Sequence, residues 1–456
     1  MMKCKKGWIL GLLLAGGQLH AQNMWQGRVG AVRMILHEGA KTTIDMPERQ
    51  MNGLQPDSIL HPAKDSLVLV FPHYVGRIAL KRGAQAMSGA LYLDEGVYPL
   101  TLVKVNAIQP LVLPQAPKLP LPYMVKQVRY KHDTICFGAT LTLPAGKGPH
   151  TAVILLSGTG KQDRNGLMAG HPMFAVLADF LTRRGYVVLR SDDRGTGASG
   201  GVYETTTQRE FAGDVKAAMH YLQTLPQVDA HRIGLIGHSE GGAIAFMAAA
   251  HNKDVAFVIT LAGLASKGLE SLQWQNQALI SKAPIPAIRK ERFNSLNNVM
   301  FQTAYTYAES DSLEQYLRSA YAAWSVQDSA LARKDTTSGH FFYPLESYIR
   351  QATGAWYRSN IRFDPAPYLE AVRAPILALN GDKDLFVAPA SLHNIDSLAK
   401  AGGNKDVTVL LMPGVNHLQQ HCQTCTVSES LLLDETIAPE ILRAMGAWLK
   451  KHSSNH

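Results

Sequence analysis

The 456-residue chain predicts an α/β fold: a mostly parallel sheet with helices on both faces, carrying a helical cap insertion and preceded by a small all-β domain. Three observations lead there. From Thr151 onward, near-continuous apolar runs alternate with helix-like segments, the pattern of parallel strands buried on both faces. Residues 264–368 interrupt that alternation with a helical stretch holding 16 of the 35 aromatic residues, too rich in rings to be a simple connection. Residues 24–104 contain only short apolar runs separated by Gly, Pro, Asn and Asp, which reads as strands and turns.

Taken in order, residues 1–21 come first. Lys3, Lys5 and Lys6 precede an apolar run from Trp8 to Ala15, and Leu19-His20-Ala21 offers a cleavage site. This is the pattern of a secretory signal peptide cut after Ala21, so the mature protein is expected to be secreted or periplasmic. Cys4 lies before the apolar run and cannot be the lipidated cysteine of a lipoprotein signal. No later segment reaches the roughly 18 uninterrupted apolar residues of a membrane helix, so no membrane span is expected. Residues 22–105 read as a small β-barrel or sandwich, with runs such as Leu67–Phe71, Ala90–Leu93 and Tyr98–Val103 and no titratable cluster. Residues 106–124 form a linker whose prolines (Pro110, Pro114, Pro117, Pro120 and Pro122) keep it extended and semi-rigid. The second domain spans 125–456. It opens with a hairpin-like stretch, Val125–Pro144, and continues with strands at Thr151–Ser157, Tyr186–Arg190, Ile233–Ile236, Val255–Leu261, Pro375–Asn380 and Val407–Met412. Helices are expected at 172–184, 207–223 and 435–451, with the cap at about 264–368.

Composition narrows the function classes. The chain is 46% hydrophobic and 18% charged, ordinary for a globular protein. Its net charge of +9 falls to +6 (42 basic against 36 acidic side chains) once the three lysines of residues 1–21 are removed, and the remaining charges are scattered. A nucleic-acid partner is therefore not expected. Cys422-x-x-Cys425 reads as a local disulfide or two packed thiols, with Cys136 left over. His417, His421, Cys422 and Cys425 have zinc-like spacing, but no second ligand cluster exists and His417 has another use. No metal or cofactor is called for.

Chemistry concentrates at residues 232–242. Ile233–Ile236 leads into Gly237-His238-Ser239-Glu240-Gly241, and small residues then open a helix-like segment. Strand, tight turn and helix with a serine at the apex would hold Ser239 strained and exposed, as a nucleophile must be. A serine hydroxyl needs a base, and the base an orienting acid. Two later strand ends supply them. Gly381-Asp382-Lys383-Asp384 follows one and Pro413-Gly-Val-Asn-His417 the other, so Asp384 and His417 complete the set, with Asp382 and His421 as rivals. The oxyanion of the reaction needs preorganised N–H donors. Glu240, next after the nucleophile, offers one. Thr159, or Gly160 after it, offers the other from the loop following Thr151–Ser157. A carboxylate beside an oxyanion opposes catalysis, so the Glu240 side chain is expected to turn away and pair with Arg164 or Arg194.

From about Pro120 onward the chain resembles bacterial α/β-hydrolases of the serine-aminopeptidase-like group, close to bacterial carboxylesterases. The residues carrying the resemblance are Ser157-Gly-Thr-Gly160 with Gln162-Asp-Arg164, Gly170-His-Pro-Met-Phe174, Asp193-Arg-Gly195 with Ser199-Gly-Gly201, Gly237–Gly242, Gly381–Val387 and Asn416-His417. Thr159 stands where a serine is usual. The resemblance implies the α/β-hydrolase fold and a small β domain in front. Because that fold hosts many chemistries, the bond cleaved has to be argued from the site. The cap's acids (Glu309, Asp311, Glu314 and Glu346) show no cluster that would bind a peptide's α-amino group. The expectation is therefore a carboxylic-ester hydrolase acting through an acyl-enzyme on a small-molecule ester. A serine aminopeptidase is the alternative, and a non-catalytic carbohydrate- or envelope-binding protein the alternative of another class. The cap decides specificity by walling the pocket with Trp, Tyr and Phe. Oligomeric state is not legible.

Overall fold

The computed structural model describes residues 23–39, 41–49, 51–71, 76–93, 96–335 and 343–453, so the expected signal peptide at 1–21 lies outside the described residues. The chain divides into two compact units at Leu111/Val112.

The first unit is one antiparallel sheet. Its strands are β1 (Asn23–Val29), β2 (Val32–Glu38), β3 (Thr43–Met46), β4 (Met51–Leu54), β5 (Ser58–Leu60), β6 (Ser66–Val70), β7 (Arg77–Arg82), β8 (Ala86–Leu93) and β9 (Gly96–Val105). They lie in the order β4-β3-β2-β1-β9-β8-β7-β6-β5. Alternation along the strands buries one face: Leu67 and Leu69 of β6, Ile78 and Leu80 of β7, and Leu100 and Leu102 of β9 all point inward. Among the described residues these nine strands form one continuous hydrogen-bonded sheet, as expected of a small all-β domain. β1 pairs with both β2 and β9, which joins the two halves into one ladder.

The second unit holds the site. Residues 112–123 carry no helix or strand, yet they are fixed to this unit: Leu113 is buried, and the Gln115 side chain bonds the backbone of Thr436 and Ile437. The proline-rich stretch is thus pinned along part of its length by hydrogen bonds as well as stiffened by its rings. Strands β10 (Met124–His132), β11 (Ile135–Leu143), β12 (His150–Leu156), β15 (Val187–Ser191), β16 (Val228–His238), β17 (Val255–Leu261), β18 (Ile376–Gly381) and β19 (Val407–Met412) form a sheet in the order β10-β11-β15-β12-β16-β17-β18-β19. A two-residue pair, β13 (Leu167–Met168) and β14 (His171–Pro172), stands apart from it. From β15 to β19 all neighbours are parallel, while β10 and β11 form an antiparallel margin.

Every residue of β18 is buried, as a parallel strand covered on both faces requires. On one face lie α2 (Gln208–Gln223), α3 (Glu240–Ala249) and α10 (Ala390–Ala401); on the other, α1 (Met173–Thr182) and α12 (Pro439–Ser453). Thr207 caps α2 by accepting the Glu210 N–H while the Glu210 carboxylate takes the Thr207 N–H, which fixes the start of that helix. Between β17 and β18 the chain leaves the sheet to build the cap: α4 (Gly268–Lys282), α5 (Ala287–Thr306), α6 (Leu313–Lys334), α7 (Leu345–Ala352), α8 (Ala355–Ile361) and α9 (Ala366–Leu369). The cap has its own core around Leu296, Met300, Leu317 and Trp324. A short helix, α11 (Val427–Leu432), precedes α12. β12 lies between β15 and β16, so the connection from β12 to β15 and the next one, from β15 to β16, run in opposite directions along the sheet. A crevice opens at such a switch point, at the carboxyl ends of the strands, and the loops after β12 and β16 border it.

Candidate active site

β16 ends at His238 and α3 begins at Glu240, leaving Ser239 alone in the turn at φ 56°, ψ −122°. A serine there is strained, and the surroundings hold it in place. Its N–H donates to the Leu261 carbonyl (3.0 Å), and its own carbonyl accepts from Gly242 (2.9 Å) and Leu264 (3.1 Å). The glycines around it are required by contact. A Cβ on Gly237 would lie 2.2 Å from the Gly241 carbonyl oxygen, and one on Gly241 would lie 2.3 Å from that of Leu156.

The ends of β18 and β19 bring Asp384 and His417 together. His417 Nδ1 lies 2.9 Å from Asp384 Oδ2. Asp384 Oδ1 accepts the N–H groups of Phe386 (2.7 Å) and Val387 (2.9 Å), so the carboxylate is fixed from two sides and is only 3% exposed. An acceptor on Nδ1 selects the tautomer with Nδ1–H and leaves the lone pair on Nε2. The Phe386 ring stacks on the imidazole, with centroids 4.9 Å apart. The rivals are placed elsewhere. Asp382 accepts the Gly414 N–H (2.7 Å), and His421 is half-exposed between Glu435 and Glu440. Ser239 and His417 line the same cavity. Among the described residues the Ser239 hydroxyl has no hydrogen-bond partner within the protein, so the serine–imidazole contact is not closed in this arrangement; such contacts commonly tighten only when substrate binds.

Of the three candidate oxyanion residues, Gly160 is set apart: its N–H donates to the Tyr203 hydroxyl (2.8 Å). The N–H groups of Thr159 and Glu240 have no protein acceptor among the described residues. For Glu240 this follows from its place as the first residue of α3.

The expected pairing of Glu240 with an arginine does not occur. Arg164 is held by Asp192 and Arg194 by Asp214, each through paired contacts from the guanidinium. The Arg164 backbone N–H binds Asp192 as well, and His132 shares Asp214 with Arg194, so both guanidiniums are already held in place. The Glu240 side chain, 2% exposed, accepts instead from four neutral donors: Thr159, Tyr203, Gln208 and Trp356. Burial pushes its carboxyl above the usual range, against the pull of those hydrogen bonds.

Two further buried groups were not expected to matter. Asp193 accepts from the Ser157 hydroxyl and the Gln162 N–H, spanning the loop after β12, and burial pushes it up to about 7. His238 is pushed down to about 3 by burial and by the neighbouring His417, so it is neutral and donates Nε2–H to the His417 carbonyl (3.0 Å). Both lie in segments that carry the family resemblance, Asp193 after a strand end and His238 within the serine turn, but nothing in the sequence assigned either a role.

The cavity above Ser239 has a volume of about 680 Å³. Phe301, Tyr343, Tyr348, Trp356 and Tyr357 reach it from the cap, whereas Trp324 packs inside the cap core. Gln275, Asn297 and Gln351 add amides. No Asp, Lys or Arg among the described residues lines it, and Glu240 is its one carboxylate. Glu314 and Glu346 are closer than the sequence suggested: both bind Arg318, on the exposed surface and outside the cavity wall. Cys422 and Cys425 form a disulfide, and Cys136 is free.

The family described as X-Pro dipeptidyl-peptidase (S15 family) matches residues 101–419. The chain is similar to esterase EstD of Thermotoga maritima, 23% identical over 283 residues (61% of this chain, 57% of that one). It is also similar to the uncharacterized protein PA2218 of Pseudomonas aeruginosa, 31% identical over 131 residues (28% of this chain, 33% of that one). It thus spans less than two thirds of either relative's length. Among solved structures, the Pyrococcus furiosus esterase Pf2001 superposes with a TM-score of 0.44 at 17% identity, over 73% of this chain and 92% of that one. With more than half of its length matched, the chain belongs to the X-Pro dipeptidyl-peptidase (S15) family and is an α/β-hydrolase related to bacterial esterases.

Proposed function

We propose that this protein hydrolyses carboxylic esters through an acyl-enzyme formed on Ser239. His417 Nε2 takes the hydroxyl proton as Ser239 Oγ attacks the ester carbonyl. Asp384 keeps the imidazole in the Nδ1–H tautomer and stabilises the imidazolium that forms. Negative charge moves to the carbonyl oxygen and is met by the Thr159 and Glu240 N–H groups. The tetrahedral species collapses, the C–O bond to the alcohol breaks, and His417 returns the proton to the leaving alkoxide. Water, activated by the same imidazole, then releases the acid and restores the serine.

One observation favours an ester over a peptide. A peptidase reading a free N-terminus needs a carboxylate for the substrate's α-ammonium group. Glu240, the one carboxylate on the cavity wall among the described residues, has both oxygens occupied by four donors. The remaining wall of amides, phenols and apolar rings suits an uncharged ester. The test compares p-nitrophenyl esters with aminoacyl and X-Pro p-nitroanilides under one set of conditions. Esters are expected to have the higher kcat/KM, and faster anilide cleavage overturns the assignment. Residues 1–21 are proposed to direct export, which N-terminal sequencing of secreted material checks: the mature chain should begin at Gln22.

A further inference from the structure

The four donors on Glu240 divide by oxygen. Oε2 accepts from Thr159 Oγ1 (3.1 Å) and Tyr203 OH (3.3 Å), and that same tyrosine oxygen accepts the Gly160 N–H. Oε1 accepts from Trp356 Nε1 (2.9 Å) and Gln208 Nε2 (2.9 Å), and the Gln208 amide also reaches Asn360 Oδ1 (3.0 Å). Trp356 and Asn360 both belong to α8 of the cap. One oxygen therefore faces the loop after β12 and the other faces the cap. The two residues whose N–H groups are proposed to meet the oxyanion, Thr159 and Glu240, are thereby joined through their side chains. All four donors are neutral, so the geometry depends on hydrogen-bond direction and not on an ion pair.

We propose that Glu240 is a positioning residue: its carboxyl group sets the spacing of the two oxyanion donors and ties that spacing to the seating of cap helix α8. The inference rests on the ester-hydrolase reading above. It makes the shape of the alcohol or acyl group in the cap felt at the carbonyl oxygen. A substrate that seats α8 well also presents its carbonyl to correctly placed donors.

The chemistry of the substitutions separates this from a packing role. Glu240→Ala cuts every link. Glu240→Gln keeps one oxygen for Trp356 Nε1, which can only donate, and Gln208 Nε2, and turns its NH₂ toward two hydroxyls, which can accept. Thr159→Val cuts the direct loop link but keeps the backbone N–H and the side-chain shape, and Trp356→Phe cuts the direct cap link while leaving the one through Gln208 and Asn360. The readouts are kcat and KM for p-nitrophenyl butyrate, and the affinity of phenylboronic acid, which binds a nucleophilic serine as a tetrahedral anion. Glu240→Ala should lower kcat about 100-fold, comparable to losing one oxyanion donor, and weaken boronate binding by the same factor with little change in KM. Glu240→Gln should recover most of that loss. Thr159→Val and Trp356→Phe should each lower kcat and boronate affinity together, which keeps the test open if Glu240→Ala fails to fold. Unchanged kcat and boronate affinity in both Thr159→Val and Trp356→Phe overturn the inference, as does Glu240→Gln being as damaging as Glu240→Ala. Retention of activity by Ser239→Ala would instead overturn the function proposed above.

Discussion

Replacing Asp384 by asparagine changes one oxygen into an NH₂ group, and the surroundings dictate which one. Oδ1 accepts two backbone N–H groups, from Phe386 and Val387, so the amide must keep its oxygen there. Its NH₂ then occupies the Oδ2 position, 2.9 Å from His417 Nδ1. A donor in that place forces Nδ1 to present a lone pair and moves the ring proton to Nε2, where it can no longer accept the serine proton. A base locked in the wrong tautomer costs about 10⁴-fold in kcat, or about 5 kcal/mol in the barrier. Because shape and backbone hydrogen bonds survive, the melting temperature should change little. The assay is steady-state turnover of p-nitrophenyl butyrate beside a thermal melt. Asp382→Asn is the control, since Asp382 binds the Gly414 N–H and pairs with Lys383 rather than with the imidazole, and a change within about threefold is expected. A loss below tenfold for Asp384→Asn in folded protein, or an equal loss for Asp382→Asn, would refute the assignment of the acid.

Other outcomes are equally specific. A fluorophosphonate probe should label the folded protein at Ser239 alone, and Ser239→Ala should abolish both labelling and at least about 10⁴-fold of the turnover. Gly241→Ala should destabilise by about 3 kcal/mol in urea unfolding, because its Cβ would meet two backbone oxygens, those of Leu156 and Ser157 at 2.3 and 2.5 Å, that cannot step aside. Asp193, raised from 3.8 to about 7, binds a proton in the folded state that it releases when unfolded at the same pH. Its stabilising contribution is therefore complete below the unfolded value and is lost as pH rises through about 7, with buried Glu240 acting in the same direction. Asp193→Asn should flatten that slope in denaturation measured between pH 4 and 8, and a slope unchanged by the substitution would count against the buried acid.

The parallel sheet was legible because buried strands such as β18 leave unbroken apolar runs, and Asp384 and His417 could be found because they follow the ends of two of them. The surroundings of Glu240 were not legible. Charge in a sequence suggests charge as its partner, yet Arg164 and Arg194 were already engaged by Asp192 and Asp214. The actual partners are neutral and remote, Trp356 lying 116 positions away. Gly160 was a reasonable donor from its loop, and only the fold brings the Tyr203 hydroxyl to its N–H. Short alternating strands in residues 23–105 revealed strand spacing but not whether the ladder would close, stack or remain a single sheet. In the cap, aromatic richness marked a hydrophobic body, while helix packing decided that Phe301 and Trp356 border the cavity and Trp324 does not.

The hydrogen bond from His238 to the His417 carbonyl joins segments 179 residues apart. It works as a pH-independent fastener, since its imidazole stays uncharged down to about pH 3. The loop carrying the base therefore keeps its station through mild acidification. That one tie between the serine turn and the segment bearing the base is thus indifferent to a pH range in which the buried carboxyls of Asp193 and Glu240 are not.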